Sequence, residues 1–148
     1  MTVTATATAT MIEVGELQPA EAEILFGLAK SAFETAPGWT DAWVLDALAE
    51  DVVFVAREGG LQAGYVALRR NANEGFVVEQ LLVVPGHERR GVGHRLLAYA
   101  EGYAIAQGAP SLLIVAEPDN HAARGFYLRC GFVPIGADLL ELVLPRLA

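Results

Sequence analysis

The stretch Phe76-Val-Val-Glu-Gln-Leu-Leu-Val-Val84 is apolar at all but two positions. A short run of that kind reads as a strand covered on both faces, hence central in a sheet. Pro85 closes it, and beyond a glycine-containing turn the spacing becomes helical, with Leu96, Leu97, Ala100, Tyr103 and Ala104 on one face. A buried strand feeding an amphipathic helix needs further layers on both sides. A chain of 148 residues, 53% of them hydrophobic, can supply those layers in one domain without staples.

The remaining patterns fit around this strand. Residues 11–17 alternate as a strand, and residues 19–34 carry Ile24, Leu25, Leu28, Ala29, Ala32 and Phe33 at helical spacing. Thr40 is a good N-cap for a second helix with Trp43, Val44, Ala47 and Leu48, whose indole and aliphatic side chains read as core. Val52–Arg57 and Leu61–Arg70 form a hairpin about Glu58-Gly59-Gly60, and residues 71–75 turn the chain into the central strand. Leu112–Ala116 is a short buried strand. Asn120–Cys130 is a helix stopped by Gly131, and Phe132–Gly136 and Leu139–Leu144 are two last strands. The order is βααβββαβαββ, an α/β fold with a mixed, mostly antiparallel sheet. Residues 1–10, a Thr/Ala alternation, read as a flexible tail, and residues 11–148 as one domain.

A net charge of −8, with no basic stripe, repels a phosphate backbone and argues against nucleic acid as a partner, while it attracts cations such as amines. No apolar run reaches the roughly 18 residues that span a bilayer, and the N-terminus lacks a signal peptide's basic start and apolar core. These features predict a cytoplasmic protein that does not engage a membrane. The single cysteine, Cys130, excludes an intramolecular disulfide and has no evident His/Asp partners, and it reads as packing at a helix end. His87, His94 and His121 lack metal-ligand spacing and read as surface or helix-end residues, so no metal is expected.

One turn carries chemistry. Gly91-Val92-Gly93 lies where the buried strand passes into the helix, so that backbone N–H groups and the positive end of the helix dipole can converge on an anion. Arg89, Arg90 and Arg95 put three cations beside it in an otherwise acidic chain. The third position of a dinucleotide fingerprint is Leu96, and a P-loop's Gly-Lys-Ser/Thr ending is absent.

Leu81-Leu-Val-Val-Pro-Gly-His-Glu-Arg-Arg-Gly-Val-Gly-His-Arg-Leu-Leu97 resembles motif A of the GNAT superfamily of acyl-CoA N-acyltransferases. Asn120-His-Ala-Ala-Arg-Gly-Phe-Tyr-Leu-Arg-Cys-Gly-Phe132 resembles its motif B. The resemblance extends over residues 11–144 and implies the GNAT fold, with a sheet splayed at the acetyl-CoA site. The family's Gln/Arg-x-x-Gly-x-Gly/Ala pattern is broken once, by Glu88, and the glycine often found next is Arg89.

The resemblance implies transfer of acetyl from acetyl-CoA, as co-substrate, to a primary amine of a small molecule or peptide, by direct attack in a ternary complex. It assigns cofactor binding to Leu81, Leu82, Val83, Arg89, Arg90, Gly91, Val92, Gly93, His94, Asn120, Phe126 and Tyr127, with the Val83 N–H donating to the thioester oxygen. It makes Glu79 the base that deprotonates the amine and Tyr127 the acid that protonates the thiolate. Phe33, Pro37 and Trp39, in the loop between the first two helices, border the acceptor together with Glu79. Ribosomal-protein alanine N-acetyltransferases, to which Pro37–Thr40 is similar, carry a glutamate where this chain has Val115. A homodimer is an assembly common in the family. The alternative is a non-catalytic acyl-CoA-binding or sensory module on the same fold.

Overall fold

The computed structural model describes residues 11–35, 39–72 and 74–146, except the side chain of Phe33. Residues 1–10, Pro37 and the Phe33 side chain, all invoked above, lie outside the described residues. Among the described residues the chain forms β1 (Ile12–Glu16), α1 (Glu21–Phe33), α2 (Asp41–Glu50), β2 (Val52–Glu58), β3 (Leu61–Arg70), β4 (Phe76–Val83), α3 (Val92–Ala106), β5 (Ser111–Val115), α4 (His121–Arg129), β6 (Val133–Pro134) and β7 (Leu139–Val143). The expected element order holds throughout.

The strands make one sheet in the order β1-β2-β3-β4-β5-β7-β6, and β4, the apolar run, lies at its centre. All neighbours are antiparallel except β4 and β5, which run parallel through the crossover helix α3. One face buries Phe54, Val66, Leu68, Phe76, Leu96 and Leu112 beneath α3, with Phe126 and Tyr127 of α4 packed at the edge. The other face buries Val53, Val55, Tyr65 and Leu82 against Leu25 of α1 and Val44, Ala47 and Leu48 of α2. At roughly 1.5–3 kcal/mol for each large apolar side chain fully buried, these two layers are the main stabilising term.

Helix ends follow the residues written there. The Thr40 hydroxyl accepts from the Trp43 N–H at 3.1 Å, and the Asn120 carbonyl accepts from the Ala123 N–H at 3.3 Å. Gly131, at φ +99°, closes α4: its N–H reaches the Leu128 carbonyl, and the Phe132 N–H reaches that of Tyr127. The sixth strand is shorter than its sequence pattern. Val133 and Pro134 alone form β6 against β7, and the Ile135 N–H then donates to the Leu139 carbonyl at 2.9 Å as the chain turns into β7. Trp43 also departs from expectation: it is 45% exposed, while Val44, Ala47 and Leu48 alone make the buried stripe of α2.

Glu21, at the start of α1, ties that helix to the β2–β3 hairpin. Its carboxylate accepts two bonds from the Arg57 guanidinium, one from Gln62 Nε2 at 3.0 Å and one from the Gln18 N–H at 2.9 Å. Hydrogen bonding by Arg57 outweighs burial and lowers the carboxyl to about 2, from an ordinary 4.5. A depressed folded-state pKa contributes stability above the unfolded value, and that contribution is lost as pH falls from about 4.5 towards 2. Glu21→Gln is therefore expected to lower unfolding stability at pH 7 by about 2–3 kcal/mol in urea melts. The gap between the two proteins should close as pH approaches 2; a gap of constant size would show that the charge is not what stabilises.

Candidate active site

The sheet opens beside its central strand. β4 pairs with β5 only through Phe76–Val78 and Leu112–Ile114, although β4 runs on to Val83. Its pairing with β3 continues along its length and slips once: Gln80 faces Ala67 and Val78 faces Leu68, which leaves Glu79 as the extra residue of a bulge. The bulge bends β4 where β5 departs. The Val84 N–H donates to the Ala63 carbonyl at 2.8 Å, so by strand alternation the N–H and C=O groups of Leu81 and Val83 point away from β3, into the opening. A Cβ on Gly64, opposite Val83, would sit 2.3 Å from the Leu82 carbonyl oxygen, so only glycine lets β3 follow the bent strand this closely.

At the far end of β4 the chain enters the glycine turn. Gly91, at φ +82°, is the N-cap of α3 and offers no capping side chain, which leaves the first N–H groups of the helix uncovered. A Cβ on Gly93 would come within 3.2 Å of the Phe126 ring and 3.4 Å of Val83, so this glycine lets α3, α4 and β4 converge. Arg89 itself takes φ +62°, a conformation that glycine adopts at less cost. The arginine there thus sits in the left-handed backbone that the expected glycine would supply.

The three arginines do not act together. Arg95 donates to the Ile12 carbonyl at 3.1 Å, and Arg90 to Glu58 at 3.0 Å. Arg89 has no hydrogen-bond or ion-pair partner among the described residues and is exposed beside the helix start. Glu88 is not neutralised by either neighbouring arginine; its carboxylate accepts only a long bond, 3.4 Å, from the Gly86 N–H. Glu58, 7% exposed at the end of β2, instead gathers the turn. Its Oε1 lies 2.9 Å from His87 Nδ1 and 3.0 Å from Arg90 Nη1. Despite its burial, those two partners hold the carboxyl below the usual range. His87 is thus an anchored residue rather than a free surface histidine. Cys130 also has a neighbour that its sequence context did not suggest, His94 Nδ1 at 3.9 Å, and burial pushes the thiol up, away from the reactive thiolate.

A cleft of about 540 Å³ crosses the sheet at the opening. Glu79 and Leu81 on β4, Asn120 and Tyr127 of α4, and Trp39 and Trp43 before and within α2 all line it. Tyr127 stands against Phe126 and Phe132, with ring centroids 5.6 and 6.0 Å away. Burial pushes its phenol up, so it holds its proton through neutral pH, and its hydroxyl has no partner among the described residues. The fully buried Asp51 side chain pairs through Oδ1 with Arg69 at 2.7 Å. Desolvation pushes the Asp51 carboxyl up, and the charge of Glu79 adds to the shift. Beneath the indoles, the buried Tyr65 hydroxyl donates to Gln80, whose amide donates to the Trp43 carbonyl at 3.2 Å and locks α2 to β4.

Most of the residues expected at a site are thus brought together. Leu81, Val83, Gly91, Val92, Gly93, Asn120, Phe126 and Tyr127 border the opening or converge beside it, and Glu79 and Trp39 face the same cleft. Leu82 lines the cleft while its side chain packs on the α1–α2 face, and the His94 side chain lies beside Cys130 on α3. Trp43, Gln80, Glu58 and Glu117 were missed. Trp43 was legible in one respect: the spacing of Val44, Ala47 and Leu48 already fills the buried face of α2 and leaves the indole at its margin. Glu58 gave no signal, because its partners are 29 and 32 residues away. Among the described residues there is no cluster of His, Cys, Asp and Glu able to hold a metal, and no helix long and apolar enough to cross a membrane.

Known proteins are similar to this chain in sequence and in fold. Streptothricin acetyltransferase of Streptomyces lavendulae is 34% identical over 94 residues, 63% of this chain and 49% of that protein. The uncharacterized N-acetyltransferase YhfO of Bacillus subtilis is 32% identical over 88 residues, 56% of this chain and 59% of its own length. The chain spans about half the length of the curated relatives it matches. In fold it is similar to a GNAT-family acetyltransferase from Brucella melitensis solved with acetyl-CoA, at TM-score 0.73 and 18% identity, covering 94% of this chain and 92% of that one. It is likewise similar to an aminoglycoside 6'-N-acetyltransferase solved with coenzyme A, at TM-score 0.78 and 14% identity, over 92% and 99% of the two chains. The model of the acetyltransferase (GNAT) family matches residues 20–132, and with it the central strand, the glycine turn and α4: the chain belongs to that family.

Proposed function

We propose that the protein is an N-acetyltransferase that moves acetyl from acetyl-CoA to a primary amine in a ternary complex. One observation carries this reading: a single cleft, opened by the parting of β4 from β5, brings Glu79 and Tyr127 to the same space, next to an uncapped helix start. The parted backbone fits an amide-bearing arm. Leu81 and Val83 present donors and acceptors to it as a neighbouring strand would, and Asn120 borders the same opening. The N–H groups of Val92, Gly93 and His94 fit a pyrophosphate, with Arg89 as the unengaged cation and Arg90 held back on Glu58.

When bound, the cofactor supplies an activated acetyl thioester; the chain supplies position and protons. An alkylammonium has a pKa near ~10 and must lose a proton before its nitrogen can attack. Glu79, on the bulge, takes that proton directly or through water. The Val83 N–H donates to the carbonyl oxygen as it gains negative charge. Tyr127 protonates the departing sulfur, a role suited to a phenol kept neutral by burial. Holding both reactants in one cleft contributes an entropic advantage of roughly 7–11 kcal/mol in favourable cases.

Tyr127→Phe should reduce kcat by about 10²- to 10⁴-fold while changing affinity for CoA little. An unchanged kcat would remove Tyr127 as the acid. Glu79→Gln should depress kcat/KM for the amine most at low pH, where the acceptor is most protonated; a loss equal at every pH would mark Glu79 as a binding group only. Turnover is read by release of CoA thiol from acetyl-CoA against a panel of amines. Tight CoA binding without acetylation of any amine would replace this reading with that of an acyl-CoA sensor, for which the unneutralised Glu88 is the favouring observation.

A further inference from the structure

The lining of the cleft has a composition that a simple monoamine does not need. Glu79 on β4 and Glu117 just beyond β5 both line it, and no lysine, arginine or histidine does so among the described residues. The nearby cations are otherwise engaged: Lys30 with Asp41 at 3.3 Å, Arg69 with Asp51, and Arg124 with the carbonyls of Ala116 and Ala137. Two indoles complete the wall. Trp39 is oriented by its Nε1–H, which donates to Asp41 Oδ1 at 3.3 Å, and Gln80 holds the main-chain carbonyl of Trp43. Trp43 is 45% exposed, and neither indole meets another ring or a cation among the described residues.

Unpaired indole faces and carboxylates lining one cleft are the chemistry that recognises an alkylammonium, through attraction to the ring quadrupole and through charge. Glu79 is required for the reacting nitrogen, which leaves Glu117 and the indoles with no cation to serve. We propose that this cleft binds a second ammonium, so that the acceptor is a small di- or oligoamine, acetylated at one nitrogen while another is held by Glu117, Trp39 and Trp43. The inference rests on the acetyltransfer reading for the first nitrogen but not for the second.

The test compares butylamine with 1,4-diaminobutane at constant ionic strength, in two measurements on the full chain. One is kcat/KM at saturating acetyl-CoA; the other is calorimetric binding of each amine to the protein loaded with CoA. The diamine should exceed the monoamine by about tenfold or more in both. That ratio should fall towards one in Glu117→Gln and in Trp43→Leu, the second of which changes no charge and so separates the pocket from the general pull of an acidic surface. Equal turnover and binding of the two amines would overturn the second-ammonium site and leave acetyltransfer standing. Preferential diamine binding that depends on Glu117 and Trp43, without any turnover, would support the site and remove the acetyltransfer reading. A diamine preference untouched by both substitutions would also overturn it.

Discussion

The parting of β4 from β5 is the constraint from which the rest of the site follows. A sheet tolerates unpaired edges poorly in its interior, because each exposed N–H and C=O must find a partner. Here β4 stays paired with β3 along its length and loses β5 after Val78, so the unpaired groups of Leu81 and Val83 face an open space. Two features make the break tolerable. The bulge at Glu79 absorbs an extra residue and bends the strand, and Gly64 allows β3 to follow that bend within van der Waals reach of Leu82. The same bulge sets a carboxylate in an apolar run, so the element that opens the cleft also brings a carboxylate to its lining.

Electrostatics divide the site into two unlike halves within one acidic molecule. At the helix start the useful positive character comes from uncapped N–H groups and Arg89, because Arg90 and Arg95 are committed to Glu58 and to the Ile12 carbonyl. Glu58 holds the turn through both His87 and Arg90, which fixes the backbone that faces the opening. In the cleft the charged and indole lining is Glu79, Glu117, Trp39 and Trp43, without a cation among the described residues. An anionic ligand is favoured at one end and a cationic one at the other, as the proposed reaction between a phosphorylated thioester and an amine requires.

Much of this was legible in the sequence, since it depends on local pattern. The apolar run marked the central strand, the switch to 3.6 spacing marked α3, and Thr40, Asn120 and Gly131 marked helix ends through their own side-chain or backbone chemistry. Glu79 stood out as a charged residue in an apolar run and Tyr127 by its place in the second motif, and they do share a cleft. What escaped was contact between residues far apart in the chain. Glu58 reaches a turn some thirty residues on, and Arg95 bonds a carbonyl on the first strand, so neither could be seen in a local window. Trp43 was misplaced because periodicity reports which face is apolar and not where a cleft cuts across that face. The sixth strand is short because the chain turns at once into β7: the Ile135 N–H already bonds the Leu139 carbonyl, which leaves no more chain for alternation to pair.

The central claim is that the parted strand and the uncapped helix start hold coenzyme A by their backbone. Amide hydrogen exchange with and without saturating CoA tests it directly. Exchange should slow at Leu81 and Val83 and at Val92–His94 when CoA is present, and should be unaffected at these positions by NAD. Unchanged exchange at both segments in the presence of CoA would contradict the account.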